Sequence, residues 1–253
     1  MYAEERQQHI LETARTAGRV EVTALAEQLD VTPETVRRDL TALERRGLLR
    51  RVHGGAIPVE RLGFEPAIAT REERLVTEKE RIAKAALAEL PDEGTILIDA
   101  GTTTGRLAEL LPRDRELTVV TNSLSVAGQV ATQANLSLYL LGGRVRGRTL
   151  ACVGEWAERA LADVFVDVAF VGTNGLSRER GLTTPDQSEA AVKRAMISSA
   201  RRAVVLTDHS KVGIDHFALV SPLAEIDTII TDSGLDAETA AELEGEGPEV
   251  IRA

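Results

Sequence analysis

The stretch Val31-Thr32-Pro33-Glu34-Thr35-Val36-Arg37-Arg38-Asp39-Leu40 decides the fold of the N-terminal part of the chain. The Thr32 hydroxyl is placed to accept a hydrogen bond from the first free N–H groups of a helix. Pro33 stands at the first helical position, which needs no hydrogen-bond donor. A helix is therefore predicted to begin at Pro33 and to run to Arg46.

This predicted helix has one apolar and one cationic face. Val36, Leu40 and Leu43 recur at helical spacing and form a buried stripe. The polar residues outside the stripe are Thr35, Arg37, Arg38 and Arg45. Their positive charge suits a phosphate backbone, and the sequence leaves open whether Arg37 and Arg38 contact phosphates or a guanine edge.

The neighbouring segments complete a winged helix-turn-helix. Helices are predicted at 3–17 and from Thr23, a very short strand at 20–22, and a tight turn at Asp30-Val31 before the third helix. The run 48–52 and the pair Gly54-Gly55 predict a small hairpin, the wing. The residues expected to meet DNA are Thr32, Thr35, Arg37, Arg38, Arg45, Arg50, Arg51 and His53.

Length and charge support two domains with different partners. A chain of 253 residues exceeds one typical core. Residues 1–61 hold ten Arg and ten acidic residues, so the net charge of −10 belongs to the remainder. Between Arg37 and His53, six Arg face only Asp39 and Glu44, a local excess that indicates one anionic partner.

Composition also argues against several protein classes. The single cysteine, Cys152, has no partner for an internal disulfide, and no opening segment has the pattern of a signal peptide. Apolar runs are shorter than a membrane span requires. The four histidines are scattered without metal-ligand spacing. We therefore expect a cytoplasmic protein with no metal, no cofactor and no membrane partner.

The second domain is predicted to be an α/β fold with a largely parallel sheet. Residues 1–57 form the first domain, 58–76 contain two prolines and are predicted to be a linker, and 77–253 form the second domain. Apolar runs alternate there with helical segments. The predicted strands are 95–98, 118–120, 136–141, 166–171, 204–206 and 228–230, and the predicted helices are 104–111, 123–133, 155–162 and 186–200.

Two helix starts in this domain carry capping signals. Thr77 and Glu80 have capping-box spacing at the beginning of the domain. Thr184, Pro185 and Gln187 suggest an N-cap, a first-position proline and a capping glutamine for the helix at 186.

Small and polar residues follow five of the predicted strands. Because ligands bind at the carboxyl ends of strands in open α/β sheets, these loops are expected to converge on one crevice. The loop 101–104 precedes a helix, and its N–H groups and hydroxyls suit a phosphate. The five loops are 99–104, 121–123, 142–144, 172–175 and 207–211.

Plainer interpretations of these loops stay open. Gly, Thr, Asn and Asp also serve as ordinary turn residues, and the pair Gly142-Gly143 favours a turn over a ligand contact. Isolated cations such as Arg144 and Lys211 are commonly solvated. Asp99, Asp208 and Lys211 are also residue types from which an acid-base site is built, although a sequence does not give their geometry.

Both halves of the chain resemble the DeoR family of bacterial transcriptional regulators. The first half carries Thr35-Val36-Arg37-Arg38-Asp39-Leu40 and Arg51-Val52-His53-Gly54-Gly55-Ala56 in the family's order. The second carries 99–104, 121–123, 141–143, 181–185 and Ser210-Lys211. Thr32 replaces the family's usual serine and keeps the capping hydroxyl.

The resemblance implies a second domain similar in fold to ribose-phosphate isomerase, which binds a phosphorylated sugar without converting it. It implies that Gly101, Thr102 and Thr103 lie near the phosphate. Further residues that it places near this effector are Asp99, Asn122, Gly143, Asn174 and Lys211. The segments 1–7 and 52–58 look most like members that accompany fructose utilisation, so fructose 1-phosphate is the leading effector.

The sequence is compatible with three functions. The first is a repressor of sugar catabolism genes that binds operator DNA as a homo-oligomer, a dimer or tetramer, and is released by a phosphorylated sugar. The second is a phosphosugar isomerase with an attached DNA-binding domain. The third is a DNA-binding oligomer whose second domain only assembles subunits. We expect the first, and therefore no catalytic residues, because an isomerase has no use for the first domain.

Overall fold

A computed structural model describes residues 3–45, 48–52, 54–58 and 65–253. The chain divides into two compact units between Phe64 and Glu65. The predicted linker at 58–76 is therefore too long at its C-terminal end, because residues 65–76 belong to the second unit and include a short helix that the sequence did not indicate.

The first unit is the predicted winged helix-turn-helix. Its three-stranded antiparallel sheet has the order β1-β3-β2, so that β2 and β3 form the wing. The helices are α1 (Ala3–Ala17), α2 (Val22–Gln28) and α3 (Pro33–Arg45), and the strands are β1 (Val20–Glu21), β2 (Leu49–Val52) and β3 (Gly55–Pro58).

The apolar stripe of α3 lies in the core of this unit, as the sequence predicts. Val36, Leu40 and Leu43 are buried with Ile10 of α1 and Leu25 of α2. The predicted cap at Thr32 is present, because the backbone N–H of residue 35 donates to the Thr32 Oγ1 at 3.2 Å. Helix α3 is thus held in place by its own sequence signals.

A buried carboxylate adds a second attachment between α3 and α1. Asp39 is 4% exposed, and it accepts hydrogen bonds from Arg6 Nε at 2.6 Å and Gln7 Nε2 at 3.0 Å. The buried position of Asp39 on α3 means that its charge is neutralised from within the protein. The cationic face of α3 therefore carries less compensating negative charge than the sequence suggests.

The second unit is built on a seven-stranded parallel sheet with the order β15-β14-β12-β9-β4-β5-β6. The strands of the unit are β4 (Gly94–Ile98), β5 (Leu117–Thr121), β6 (Leu136–Leu140), β7 (Arg144–Arg146), β8 (Ala151–Val153), β9 (Val166–Gly172), β10 (Gly175–Ser177), β11 (Gly181–Thr184), β12 (Ala200–Leu206), β13 (Ala218–Ser221), β14 (Thr228–Thr231) and β15 (Glu249–Arg252). The helices are α4 (Ile68–Glu72), α5 (Val76–Ala86), α6 (Thr102–Glu109), α7 (Leu124–Val130), α8 (Glu155–Ala162), α9 (Gln187–Ser198) and α10 (Ala237–Glu244).

All six predicted strands are present, as are the four predicted helices from 104 onward and the helix signalled at Thr77, which confirms the α/β fold. The small antiparallel sheets, β7-β8 and β10-β11-β13, and the C-terminal pair of α10 and β15 were not predicted. Their apolar runs are short and lie among polar residues, so the pattern alone does not distinguish them from loops.

Helices cover both faces of the parallel sheet. In β4, Leu97 packs into one core with Met196 of α9, whereas Ile96 and Ile98 pack into the other core with Ile82 of α5. Successive residues of a strand point to opposite faces, so a strand buried on both faces must be apolar throughout. This explains the continuous apolar runs in the sequence.

The two predicted capping arrangements are wrong in detail. Helix α5 begins at Val76 after Leu75, a left-handed residue that provides no side-chain cap, so Thr77 lies inside the helix. Helix α9 is capped by Asp186, whose Oδ1 accepts from the backbone N–H of residue 189 at 2.9 Å. Thr184 belongs instead to β11. In neither case does the nearest threonine cap the helix: α5 begins after a left-handed residue, and α9 begins after the side-chain cap of Asp186.

No helix in the described part of the chain is long and apolar enough to cross a membrane.

Replacing Asp39 by Ala is expected to destabilise α3 by about 3 kcal/mol, because the change removes the buried carboxylate partner of Arg6. Hydrogen exchange of α1 and α3 peptides in the full chain measures the loss. The matched control is Glu34→Ala on the same helix, because Glu34 makes only exposed ion pairs with arginines, and a change within about 0.5 kcal/mol is expected. Equal protection in the two variants would contradict the anchoring role of Asp39.

Candidate functional site

The first unit presents a cationic surface on α3. Arg37, Arg38 and Arg45 are exposed, Thr32 is exposed beside them, and Thr35 is half-buried. Glu34 lies 3.4 Å from Arg37 Nη1 and 3.9 Å from Arg38 Nε, and all three side chains are more than half exposed. Such exposed ion pairs are weak. Both guanidinium groups are therefore available to a stronger anionic partner.

Arg51 of the wing is bound to α3 and does not extend freely into solvent. Its Nη1 donates to Thr41 Oγ1 at 3.0 Å and to the Arg37 carbonyl at 3.4 Å, and its backbone N–H donates to Glu44 Oε1 at 2.8 Å. The sequence predicts a DNA contact at Arg51, whereas the structure gives it a positioning contact between wing and helix. Thr41 and Glu44 were missed because their spacing to Arg51 follows no helical or strand period.

Arg50 and His53, also predicted to meet DNA, are described only in part or not at all. Arg50 lies on β2, and its side chain is not among the described atoms. His53 lies outside the described residues.

The second unit has a cavity at the carboxyl ends of three neighbouring strands. The loops after β4, β9 and β12 line it, and it encloses about 650 Å³, counting the space open to solvent. The loops 121–123 and 142–144, which were expected to join them, do not line the cavity. They follow β5 and β6, which occupy the edge of the sheet on the far side of β4.

Five of the eight residues expected near the effector line this cavity: Gly101, Thr102, Thr103, Asn174 and Lys211. The other three lie behind or beside it and support the loops. Asp99 is buried and accepts from the Gly172 N–H at 3.0 Å. Asn122 accepts from the Ala100 N–H at 3.0 Å and donates to the Cys152 carbonyl at 3.2 Å.

Gly143, the third of these residues, has a structural explanation. Its φ is +145°, and a Cβ at this position would lie 2.7 Å from the Val153 carbonyl oxygen. Only glycine tolerates both conditions. The turn interpretation of Gly142-Gly143 therefore agrees with the structure.

The amino terminus of α6 forms one wall of the cavity. Gly101 is the N-cap residue, and it has no side-chain cap bond to the helix. Thr102 and Thr103 add hydroxyl groups to the first N–H groups of the helix. Free N–H groups, hydroxyls and the positive end of the helix dipole together suit a phosphate or another anion.

Four further cations line the cavity beside Lys211, and the sequence reasoning missed all of them. They come from α4, from the turn before α5, from α5 itself and from α9: Arg71, Arg74, Lys79 and Lys193. The first two lie within the predicted linker. Lys79 gave a signal, because it shares the buried face of α5 with Ile82, Ala83 and Ala86. A lysine on an apolar stripe indicates a buried charge with a partner.

Lys79 is held at the cavity by the backbone before α5. Its Nζ donates to the carbonyls of Arg71 and Arg74, the second at 2.6 Å. Burial lowers the pKa of Lys79 to about 8, with Asp208 acting in the opposite direction. A lysine with this pKa exchanges its proton near physiological pH, and a bound anion would favour the charged form.

Lys193 lines the cavity and forms a buried ion pair with Asp99, which lies behind it. Its Nζ donates to Asp99 Oδ2 and to the Gly172 carbonyl, the latter at 3.0 Å. Burial raises the pKa of Asp99, and the charge of Lys193 opposes this shift. Asp208 is used as a cap, because it accepts from the N–H and the hydroxyl of Ser210. In the acid-base arrangement considered for Asp99, Asp208 and Lys211, the carboxylate of Asp99 therefore does not face the cavity.

Among the described residues, no group of three or more His, Cys, Asp or Glu side chains is placed to hold a metal ion.

Two family descriptions match the chain. Residues 6–61 match the DeoR-like helix-turn-helix domain, and residues 74–233 match the DeoR C terminal sensor domain.

Named relatives cover nearly the whole chain. The HTH-type transcriptional regulator GlpR of Haloferax volcanii is 39% identical over 99% of this chain and 98% of its own length. The Glycerol-3-phosphate regulon repressor of Escherichia coli is 32% identical over 90% of both chains. Ribose 5-phosphate isomerase A from Methanocaldococcus jannaschii is a solved structure with a TM-score of 0.39 and 19% identity over 53% of each chain, a likeness too low to support an argument.

The relatives that match over most of the chain are named as transcriptional regulators, which agrees with the expectation that the chain is not an enzyme. With a winged helix-turn-helix in its first unit and a match to the sensor domain in its second, this chain belongs to the DeoR family of DNA-binding transcriptional regulators.

Proposed function

We propose that the chain is a repressor of sugar catabolism genes that releases its operator when a phosphorylated sugar fills the cavity of the second unit. The observation that carries this proposal is the meeting of the α6 amino terminus with five cationic side chains in one cavity. A phosphate dianion supplies oxygens that accept hydrogen bonds from these donors, and hydroxyl groups of the sugar suit Asn174. The printed name of the Escherichia coli relative, a repressor of a glycerol-3-phosphate regulon, also supports a phosphorylated effector.

In this proposal, Arg37, Arg38 and Arg45 bind operator DNA from the exposed face of α3, and Thr32 and Thr35 contact it from the helix start. Arg51 positions the wing, and Arg50 and His53 are proposed contacts of the wing itself. Inverted operator half-sites require an even number of DNA-binding units, so we propose a dimer or tetramer.

The effector proposal is fructose 1-phosphate, bound with its phosphate at Gly101, Thr102 and Thr103. Lys79 and Lys211 supply charge to the phosphate, and Asn174 contacts the sugar. Asp99, Asn122 and Gly143 hold the loops that carry these groups. This assignment rests on the likeness of segments 1–7 and 52–58 to regulators of fructose utilisation.

An isomerase activity is the second candidate, and no observation favours it. The carboxylate of Asp99 is paired with Lys193 and buried away from the cavity, so it is poorly placed to take a proton from a sugar carbon. Proton exchange of ribose 5-phosphate or fructose 1-phosphate in heavy water tests for turnover directly. Measurable exchange by the purified chain would overturn the proposal of a sensor without catalysis.

The double variant Arg37→Ala, Arg38→Ala is expected to lose at least about tenfold in affinity for DNA, because two phosphate or base contacts are removed. Mobility shifts with DNA from upstream of the chain's own gene measure the loss, and the salt dependence of binding should become shallower by up to about two in log-log slope. The matched control is Arg159→Ala, an exposed arginine of α8 in an i,i+4 pair. Unchanged affinity in the double variant would refute the assignment of α3.

Fructose 1-phosphate is expected to release the DNA in the same assay, with glycerol 3-phosphate, ribose 5-phosphate and inorganic phosphate as comparison ligands. The expected change in DNA affinity is about 5- to 150-fold, the usual range of coupling between two allosteric sites. Calorimetry in the absence of DNA distinguishes binding from release. If none of the phosphorylated sugars binds, the second unit serves assembly, as in the third hypothesis.

The affinity for the phosphorylated sugar is expected to fall as the pH rises above 8. Lys79, with a pKa of about 8, is then mostly neutral in the free protein, so binding of the anion requires the uptake of a proton from solution. The fall approaches about tenfold for each pH unit until the higher pKa of the complex is reached. Calorimetry in buffers of different ionisation enthalpy detects the proton uptake. In Lys79→Met the pH dependence should disappear, whereas Lys84→Met, at an exposed position of α5, should retain it. A variant at residue 79 with unchanged pH dependence would contradict this role.

A further inference from the structure

A buried carboxylate lies at the beginning of the second unit. Glu65 is the first described residue after 59–64, and its side chain is 2% exposed. Its Oε1 accepts from Arg71 Nη1 at 2.9 Å and Asn174 Nδ2 at 3.1 Å, and its Oε2 accepts from Arg146 Nη1 at 2.9 Å. We call these four residues the Glu65 cluster. A carboxylate is buried at acceptable cost only when it is paired and hydrogen-bonded in this way.

The backbone around Glu65 is also fixed by the same part of the fold. The Glu65 carbonyl accepts from Arg148 Nη1, and the Ile68 N–H donates to the Arg148 carbonyl at 2.9 Å. Residues 65–68 are therefore held by the hairpin of β7 and β8 as well as by the Glu65 cluster. The chain that leads into the second unit is fixed at its first described residue.

The Glu65 cluster shares its donors with the cavity. Arg71 and Asn174 both line the cavity. Arg146 also donates to Glu189 at 2.6 Å, and Glu189 is a third lining residue. A ligand in the cavity thus meets the same guanidinium and amide groups that hold Glu65. Each acceptor that the ligand offers to Arg71 or Asn174 competes with the Glu65 carboxylate.

We propose that Glu65 couples the cavity to DNA binding: a phosphorylated sugar displaces its carboxylate from Arg71 and Asn174, and the release of residues 65–68, where the second unit begins, lowers the affinity for DNA. The inference rests on the proposed function. Thermodynamic linkage makes this coupling reciprocal. The state in which Glu65 is bound to Arg71 and Asn174 therefore has a lower affinity for the ligand, by the same factor. Glu65 is a positioning residue, since its carboxylate is not among the groups that line the cavity.

A merely structural role for Glu65 makes a different prediction. We define the release ratio as the DNA affinity without ligand divided by the DNA affinity with ligand. If the cluster only stabilised the fold, loss of the Glu65 charge would lower the free energy of unfolding and leave the release ratio unchanged. If the cluster transmits the signal, this release ratio falls and the ligand binds more tightly in the absence of DNA. The two roles are therefore separated by binding measurements on folded protein.

The test uses the full chain with fructose 1-phosphate, glycerol 3-phosphate and ribose 5-phosphate as probes. Glu65→Gln keeps the size of the side chain and removes its charge. Arg148→Met removes the bond to the Glu65 carbonyl and alters no residue that lines the cavity. Glu155→Gln is the matched control, because Glu155 forms an exposed i,i+4 pair with Arg159 on α8. Thermal unfolding confirms that each variant is folded.

The expected result for Glu65→Gln is about fivefold tighter binding of the effective probe without DNA and a release ratio reduced at least about fivefold, within the usual range of allosteric coupling. Arg148→Met should reduce the release ratio in the same direction, and it decides the question if Glu65→Gln does not fold. Glu155→Gln should behave as the unaltered chain.

Two negative results are distinguishable. An unaltered chain that responds to none of the probes refutes the proposed function, and the inference falls with it. An unaltered chain that responds, together with folded Glu65→Gln and Arg148→Met variants of unchanged release ratio, overturns the inference alone.

Discussion

The burial of β4 on both faces is the constraint on which the second unit depends. Its residues Ile96, Leu97 and Ile98 alternate between two cores, so helices must cover the sheet on each side. Such a strand ends where its apolar run ends. Here β4 ends at Ile98, and the polar residue Asp99 and the N-cap Gly101 follow before α6 begins. The site lies at the carboxyl edge of the central strands, where polar backbone and side chains meet without entering either core.

Buried charge then shapes this edge. Asp99 is buried, and among the described contacts its charge is compensated by the ammonium group of Lys193 and the Gly172 N–H. The pair joins the end of β4 to α9 and to the end of β9, so one interaction fixes three of the elements around the cavity. Because Lys193 lines the cavity and Asp99 lies directly behind it, removal of either partner would leave an uncompensated charge where the loops must be rigid.

Local patterns predicted most of the fold and only part of the site. Apolar periodicity was sufficient for the six main strands and for α3, since these signals lie within a few neighbouring residues. The lining of the cavity depends on contacts between distant residues: Lys193 and Asp99 are 94 positions apart, and Asn174 and Glu65 are 109 apart. No single sequence shows which distant charges pair. The predicted linker failed for the same reason, because residues 65–76 are ordered by partners at 146, 148 and 174.

The distribution of charge explains how one chain can serve two anions of very different size. Outside residues 1–61 the chain has a net charge of −10, which disfavours DNA along most of that surface. The five cations of the second unit that line the cavity are accessible only to a small anion, and two of them are already paired, Arg71 with Glu65 and Lys193 with Asp99. On α3 the arginines are exposed and their only acidic neighbour, among the described contacts, is the exposed Glu34. Accessibility rather than charge alone thus separates a surface for a polyanion from a site for a single phosphate.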